Sequence, residues 1–452
     1  MNRKFVAKTF SQFLIQKPLT TLVLSFLIII LIGTILLKLP WSTFQDISFI
    51  NALFTATSAT CVTGLIVQDT GSDFTLFGQI VILLLIQLGG LGIMTGAAFV
   101  YLFFKKGIGI KAGSGLKTIL GEEYITEVRS AIKFIVKTTL LIEAIGAILL
   151  FIWWRSIFLE TSQLTFYSIF HSVSAFCNAG FSLFRNSLEN FRGDIALNVV
   201  ISLLIILGGI GSLVLRDFQK KITSFFKKEK TRWTLHSKLV LISTLCLIFL
   251  GASLFYVFER ENLDFLTGKE MVLTSFFQSI TARTAGFNTV NIGKLTSPTL
   301  LLLTFLMFIG GAPAGTAGGI KVISLVLIFL SIISFFKRKE EISIFGRSLP
   351  KIYFRNVFIL ASVYLLFCLV IFSLLLYTEK GEFEKILFET FSAVGTVGLT
   401  TGITSQLSNT GKILITISMF VGRLLPLSLA ILGSREIIKA KIAFPEEKII
   451  LG

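Results

Sequence analysis

The chain has 452 residues, of which 54% are hydrophobic and only 15% are charged. This composition is too apolar for a soluble domain, in which about a quarter of the residues are charged. A net charge of +17 alone would suggest a nucleic-acid partner. The distribution of the basic residues argues against one and for a membrane protein, because they lie in short segments between long apolar runs.

Eight apolar runs are long enough to cross a membrane, since a spanning helix needs about 20 mostly apolar residues. They begin near Pro18, Phe74, Phe134, Ala196, Leu239, Thr299, Val357 and Ile413. No short apolar stretch with a small-residue cleavage site precedes them, so no removable signal peptide is expected.

The distribution of Lys and Arg predicts the orientation of the chain. With the N-terminus in the cytoplasm, the inner segments hold 29 of the 42 Lys and Arg. These segments are residues 1–17, 105–137, 216–238, 337–355 and 435–448. Because Lys and Arg accumulate on the cytoplasmic side, we expect a multi-pass protein of the cell membrane with both termini in the cytoplasm. The inner segments would face anionic lipid or a cytoplasmic partner.

The cysteines and histidines give no sign of catalysis. Cys61, Cys177, Cys246 and Cys368 lie far apart, and the chain has only two His. No metal-binding or nucleophilic constellation can be assembled from them. We therefore expect no enzymatic activity and no organic cofactor. Cys61 and Cys177 are candidates for pairing, although free thiols are favoured.

Four segments on the predicted outer side align without gaps, each between two spans. They read FTATSATCVTGL at 54–65, FHSVSAFCNAGF at 170–181, FFQSITARTAGF at 276–287 and FETFSAVGTVGL at 388–399. Each begins with Phe and has Gly ten residues later, at Gly64, Gly180, Gly286 and Gly398. One copy would indicate only an outer turn, but four in register predict a repeated unit.

Each unit is predicted to contain a helix, a half-helix with a loop, and a second helix. A segment such as ISFINALFTATSA at 47–59 forms a helix of about ten residues, which covers roughly half the hydrocarbon thickness. The chain must then return through a strand, and Gly permits the positive φ that such a return requires. Four such loops around one axis would direct carbonyl groups inward and replace the hydration shell of an ion.

The fold class predicted is therefore an all-α integral membrane protein with four pseudo-symmetric helix–pore loop–helix repeats around a central ion pore. The repeats occupy residues 1–105, 106–218, 219–337 and 338–452, the last with a C-terminal tail.

The four loops, GGAPAGTAGGIK at 310–321 and Arg423 in the last helix together resemble the TrkH/KtrB/HKT superfamily of potassium transporters. The resemblance covers nearly the whole chain and is strongest to KtrB-like members. It implies potassium uptake through a selectivity filter formed by the strand before each loop glycine. The implied filter residues are Thr60, Cys61, Val62, Thr63, Gly64, Phe176, Cys177, Asn178, Ala179, Gly180, Ala282, Arg283, Thr284, Ala285, Gly286, Val394, Gly395, Thr396, Val397 and Gly398.

Glycine alone is common to the four runs, whereas a potassium channel repeats TVGYG at every corner. We therefore expect weaker selectivity for potassium over sodium than in such a channel. A Gly→Ser substitution in any of the four runs should shift it towards sodium.

Several polar residues near the loops have two interpretations. Arg283 either tunes cation entry or holds its loop by hydrogen bonds, and the second is favoured because a cation facing the path would repel the substrate. His171 and Gln278 are interpreted as packing or hydrogen-bonding positions. Asp69 is either an attractor for cations or a solvated surface residue. Glu143 lies in an apolar span, where ionisable residues are functional candidates, and no partner for it is evident.

The segment 310–321 interrupts the second helix of the third unit with five Gly and one Pro. Each interior Gly costs a helix about 1 kcal/mol and Pro about 3 kcal/mol, so no regular helix is expected there. Close helix packing is the alternative use of these small residues. The resemblance implies a flexible gate beneath the filter, with Arg423 as an electrostatic barrier. The implied gate residues are Gly310, Gly311, Gly315, Thr316, Gly318, Gly319, Lys321 and Arg423.

The resemblance also implies partners. KtrB-like proteins form homodimers on a KtrA-like RCK ring that binds ATP or ADP, and their potassium uptake commonly depends on sodium. The chain itself has no nucleotide-binding motif. The main rival is an alternating-access carrier, but such folds have two inverted repeats, not four parallel ones. A membrane enzyme or a non-transporting assembly subunit is the second rival.

Overall fold

The fold is given by a computed structural model that describes residues 18–105, 116–338 and 342–433. The predicted inner segments at the two ends of the chain, and the boundary between the first two repeats at 105/106, lie wholly or partly outside the described residues. The regular elements of the described residues are helices, apart from the strands β1 (Ser343–Ile344) and β2 (Arg347–Ser348), which form one short antiparallel hairpin.

The same three-part order recurs four times, with helices numbered here along the chain. The first helices are α1 (Pro18–Leu37), α4 (Leu116–Trp154), α8 (Leu235–Glu259) and α12 (Lys351–Thr378). The half-helices are α2 (Phe49–Thr60), α5 (Thr161–Phe176), α9 (Gly268–Thr281) and α13 (Phe383–Gly395). The second helices are α3 (Leu76–Lys105), α6 with α7 (Ile195–Gly209, Ser212–Phe226), α10 with α11 (Ser297–Phe308, Val322–Phe336) and α14 (Asn409–Gly433).

Among the described residues, six helices are long and apolar enough to cross a membrane: α1, α3, α4, α8, α12 and α14. Two of the eight predicted spans are broken: the run near Ala196, where no break was predicted, and the run near Thr299, where residues 310–321 were predicted to interrupt the helix. The first is bent by 105° between α6 and α7, and the second is split into α10 and α11. Gly211 allows the bend, because its φ is +87° and the Pro313 carbonyl oxygen occupies the space of a side chain.

The first helices are the outermost part of each repeat. They expose large apolar side chains, among them Leu31, Leu141, Leu250 and Leu366. Large exposed apolar surface on helices of this length is expected where lipid is the solvent. The half-helices are the inner part, and the polar side chains on them therefore lie inside the protein.

The half-helices run from an exposed start to a buried end. Ser48 caps α2 by accepting a hydrogen bond from the Asn51 amide, and a capping box between Thr267 and Glu270 starts α9. Toward their C-terminal ends the half-helices are buried in protein, and α2 is continuously buried from Phe54 to Thr60. A helix that ends inside the protein leaves its last carbonyl groups available to line a path.

Glycines in three second helices allow close approach to the ends of the half-helices. A Cβ atom on Gly89, Gly208 or Gly422 would collide with the last-turn carbonyl oxygen of the half-helix in its own repeat. Those carbonyls belong to Thr60, Phe176 and Val394. These three glycines therefore set the distance between the second helix and the end of the half-helix in their repeats.

Gly208→Ala should lower the thermal stability of the purified protein in detergent, because the added methyl group collides with the Phe176 carbonyl. Overpacking of this kind costs about 1–3 kcal/mol. Gly268→Ala is the matched control, since a Cβ there meets no atom within 4 Å. Equal unfolding temperatures for the two variants would contradict the close contact.

Candidate ion pathway

The four loop glycines lie against one another around a single axis. A Cβ atom on any of them would fall within 3.0 Å of a backbone carbonyl oxygen in the next repeat. The pairs are Gly64 with Ala179, Gly180 with Ala285, Gly286 with Val397, and Gly398 with Thr63. The order closes on itself, so the loops form a ring of four. A side chain at any glycine would open the ring.

The backbone of each loop alternates in handedness. The four glycines have φ between +69° and +94°, and the residue two positions earlier also has positive φ. Those earlier residues are Val62, Asn178, Thr284 and Thr396. Alternating left- and right-handed residues turn successive peptide groups to the same orientation. In a backbone nest this brings the N–H groups to one side of the strand; the carbonyl groups then line up on the other side. The geometry thus suits a row of carbonyl oxygens facing one path.

Positive φ at these earlier positions is costly. Val62, Thr284 and Thr396 are β-branched, and each such residue stores on the order of 1–3 kcal/mol of backbone strain. Strain of this kind persists where surrounding structure fixes it, and it is concentrated at functional sites. Positive φ was predicted from the sequence only for the glycines, and not for these earlier positions.

A hydroxyl group in each half-helix fixes the loop that follows it. Ser58 and Ser392 accept hydrogen bonds from the amides of Gly64 and Gly398, at 3.1 and 3.2 Å. In the other two repeats the hydroxyl donates instead to the carbonyl after the glycine, Ser174 to Phe181 and Thr281 to Phe287, each at 2.7 Å. The signal in the sequence is a Ser or Thr five or six residues before each glycine, and the sequence analysis did not use it.

Polar side chains on the half-helices fix the strand beyond the glycine. The His171 ring lies 3.1 Å from the Ser182 hydroxyl and 3.3 Å from the Leu183 amide nitrogen. Gln278 Nε2 donates to the Thr289 hydroxyl at 3.5 Å. The interpretation of His171 and Gln278 as hydrogen-bonding positions is confirmed.

Glu389 has the corresponding role in the fourth repeat, and the sequence analysis missed it. Its buried carboxylate accepts hydrogen bonds from the hydroxyl groups of Thr400, at 3.0 Å, and Thr404. Both threonines follow Gly398. A buried carboxylate needs such donors, because burial without them carries a large desolvation cost.

The interrupted helix lies directly beneath the ring. Residues 309–321 form no regular helix, as predicted, and are almost entirely buried. The Thr316 hydroxyl donates to the Phe176 carbonyl at 3.1 Å, and the Gly318 amide donates to the Thr284 hydroxyl at 3.2 Å. A side chain on Gly318 would collide with Thr396. The segment therefore touches the loops of the second, third and fourth repeats.

The bend between α6 and α7 holds this segment from the side. The amides of Ala312 and Thr316 donate to the carbonyls of Gly209 and Gly208, at 2.8 and 3.1 Å. In return, the Ser212 amide donates to the Ala314 carbonyl at 2.9 Å. Two breaks in neighbouring repeats thus satisfy each other's backbone groups. The bend falls in ILGGIG, residues 206–211, where no break was predicted from the sequence.

Two cationic side chains lie near the loops: Lys321 ends the interrupted segment, and Arg423 follows Gly422, which packs against the Val394 carbonyl. Lys321 Nζ donates to the carbonyls of Ala317 and Gly318, at 2.7 and 3.3 Å. Arg423 is 4% exposed, and its guanidinium nitrogens have no hydrogen-bond partner among the described residues. Burial of Arg423 in the last helix is confirmed.

Arg283, Asp69 and the two loop cysteines are the remaining candidates from the sequence. Arg283 is buried, and its Nε and Nη1 atoms find no acceptor in the described part of the chain, so these two nitrogens do not support the hydrogen-bonding interpretation. Asp69 closes a turn, because its Oδ1 accepts from the amides of Gly71 and Ser72 at 3.0 and 2.8 Å. Cys61 and Cys177 are free thiols, as favoured.

Four half-helices with a glycine ring at their inner ends define a pore-loop membrane protein, and comparisons with known proteins place it in a family. A family model described as a cation transport protein, TrkH, matches residues 4–442. The chain is 40% identical to the Ktr system potassium uptake protein B of Bacillus subtilis, over 96% of this chain and 97% of that protein. It therefore belongs to the TrkH cation transport protein family, and the predicted resemblance is confirmed.

Other relatives are also described as uptake proteins. The protein of the same description from Vibrio alginolyticus is 38% identical over 95% of this chain and 94% of that one. The potassium/sodium uptake protein NtpJ of Enterococcus hirae is 37% identical over 96% and 97%. The crystal structure of the potassium transporter TrkH from Vibrio parahaemolyticus has a TM-score of 0.69 at 21% identity, covering 90% of this chain and 84% of that one. This last likeness supports the fold, and the relatives are transporters, not enzymes.

Gly180→Ser should reduce cation flux into vesicles by about tenfold or more, because a side chain there separates neighbouring loops. A loss of roughly 1.4 kcal/mol suffices for that factor. Gly402→Ser is the matched control: Gly402 also has positive φ, +98°, but a Cβ there meets no atom within 4 Å. Equal losses in the two variants would mean that backbone strain alone, not the ring, explains the effect.

Proposed function

We propose that the chain is the membrane subunit of a potassium uptake system, with the four loops as its selectivity filter. The observation that carries this proposal is the closed ring of Gly64, Gly180, Gly286 and Gly398. The filter consists of the runs Thr60–Gly64, Phe176–Gly180, Ala282–Gly286 and Val394–Gly398. The choice of potassium is supported by the descriptions of the relatives from Bacillus and Vibrio as potassium uptake proteins.

In this mechanism, backbone carbonyls replace the water of a hydrated cation. The half-helices point their C-terminal ends inward, and the partial negative charge of those ends favours a cation below the ring. Side chains of the four runs differ, so the ligand geometry is less regular than in a channel with four identical loops. We infer selectivity for potassium that is real but moderate, with sodium as the competing ion.

The segment 310–321 is proposed as the gate. It lies beneath three filter loops, and single hydrogen bonds through Thr316 and Gly318, which a small displacement would break, join it to two of them. Lys321 and Arg423 add positive charge next to the same space. A cation that leaves the filter therefore meets both a steric and an electrostatic barrier in this conformation.

The finer features of the uptake system are also proposals. The description of one relative as a potassium/sodium uptake protein supports a role for sodium. The words "Ktr system" in the descriptions of others support an assembly with further subunits. We propose a homodimer on a cytoplasmic, nucleotide-binding RCK ring, with both chain termini on that side. The basic segments between repeats would provide the contact surface and would also face anionic lipid.

Uptake of radioactive rubidium into vesicles tests the proposed function. We expect uptake that unlabelled potassium inhibits more strongly than sodium does, and that Gly286→Asp abolishes. Uptake should rise when sodium and an RCK subunit are supplied together. Equal uptake by the unmodified protein and Gly286→Asp would reject the filter, whereas unchanged uptake without sodium or the ring subunit would reject only the regulation.

Arg423→Met should increase rubidium uptake in the closed state, measured without a ring subunit, by about tenfold. Removal of one charge from a partly screened site lowers a cation barrier by roughly 1–4 kcal/mol. Lys412→Met is the control, because Lys412 belongs to the same helix but donates to Asn51 in the first turn of α2, at the end of that half-helix away from the ring. No increase for Arg423→Met would exclude the electrostatic barrier.

A further inference from the structure

Glu143 is a buried acidic residue that the gate and the ring do not use. It lies in α4, within a membrane-spanning segment, and is 5% exposed. A carboxyl group at this depth costs free energy that an apolar side chain would not. Its contacts must therefore explain its presence.

Glu143 forms hydrogen bonds with three other elements, two through its carboxyl oxygens and one through its backbone carbonyl. Gln87 Nε2 in α3 donates to Oε2 at 3.1 Å. The Cys177 thiol, in the second loop, donates to Oε1 with a sulfur–oxygen distance of 3.7 Å. The backbone carbonyl of Glu143 accepts from the Ser172 hydroxyl in α5 at 2.7 Å. The side chain thus connects the second helix of the first repeat to the loop of the second.

The Cys177 side chain is confined between two elements. Besides Glu143 in α4, Gly90 in α3 lies against it, and an added Cβ at Gly90 would be 2.7 Å from the Cys177 sulfur. Cys177 is immediately followed by Asn178, which has positive φ. A shift of the thiol therefore moves the peptide groups that precede Gly180.

The fold itself does not require a carboxylate here. In the third repeat, the Ser279 hydroxyl, one position later in the aligned segment than Ser172, makes a comparable bond to the Ile248 carbonyl at 2.9 Å. Ile248 lies three residues before Gly251, and Glu143 lies three residues before Gly146. An isoleucine therefore supports the same helix contact, so the carboxyl group serves the loop beside it.

We propose that Glu143 is a positioning residue that determines ion specificity: held by Gln87, its carboxyl group fixes Cys177 and so the carbonyl groups of the second loop. The inference rests on the proposed filter role of that loop. The carboxyl group acts through the loop and touches no ion. With this connection missing, the loop relaxes outward and its ring of ligands widens, which reduces the preference for potassium over sodium.

A double-mutant cycle tests the connection. Glu143→Leu and Gln87→Leu should each lower the ratio of sodium to potassium concentrations that half-inhibit rubidium uptake. We expect a roughly tenfold decrease, as for the loss of about one buried hydrogen bond. The double variant should lower it no further, because both substitutions remove the same link. Glu143→Gln, which still accepts and donates, should keep most of the discrimination.

Thr139→Val is the matched control, because Thr139 is equally buried one turn earlier in α4 and its hydroxyl has no hydrogen-bond partner among the described residues. Its discrimination should equal that of the unmodified protein. Unchanged ratios in Glu143→Leu, additive losses in the double variant, or lower maximal uptake at a constant ratio would each overturn the proposal.

A second readout does not depend on transport. Alkylation of Cys177 by a small thiol reagent, with buried Cys61 of the first loop as internal reference, should be severalfold faster in Glu143→Leu than in Thr139→Val. Equal rates would overturn the role of Glu143. If Cys177 is alkylated faster in Glu143→Leu as expected, but the unmodified protein takes up no rubidium, the proposed function is rejected instead.

Discussion

The structure depends on how closely four backbone segments approach one axis. A cation inside a membrane needs oxygen ligands in place of water, and in the proposed filter the backbone carbonyls supply them. Four strands meet at the axis only if no side chain projects between them, and a Cβ at Gly64, Gly180, Gly286 or Gly398 would overlap the next strand. The half-helices, the second-helix glycines and the anchoring hydroxyls all keep the strands at that distance.

The strain in the loops follows from the same requirement. Carbonyl groups that face one side need alternating backbone handedness, and this places Val62, Thr284 and Thr396 in a region that β-branched residues avoid. The surrounding contacts must hold them there. Ser58 and Ser392 hold the glycine amides, and Glu389 holds the strand beyond its loop. Loop geometry is therefore a property of the packed protein, and an isolated loop would not adopt it.

The sequence predicted the loops and the interrupted helix because both depend on local features. A glycine in register four times, and Gly with Pro inside an apolar run, carry their structural meaning in the residues themselves. The bend after Gly209 was not predictable in that way, because ILGGIG lies in a run whose length and hydropathy fit a straight span. Gln87 as the partner of Glu143 was hidden for another reason: 56 positions separate them, and only tertiary packing brings them together.

The bend after α6 and the gate segment belong to one hydrogen-bonding unit. A broken helix at membrane depth leaves backbone groups that lipid cannot satisfy. Here the carbonyls of Gly208 and Gly209 accept from Ala312 and Thr316, so each break provides the partners that the other lacks. If the segment moves aside, these groups need new partners, and water is the only abundant source. Opening of the proposed gate is thus coupled to hydration of the space beneath the ring, which is the same water that a cation leaving the filter requires.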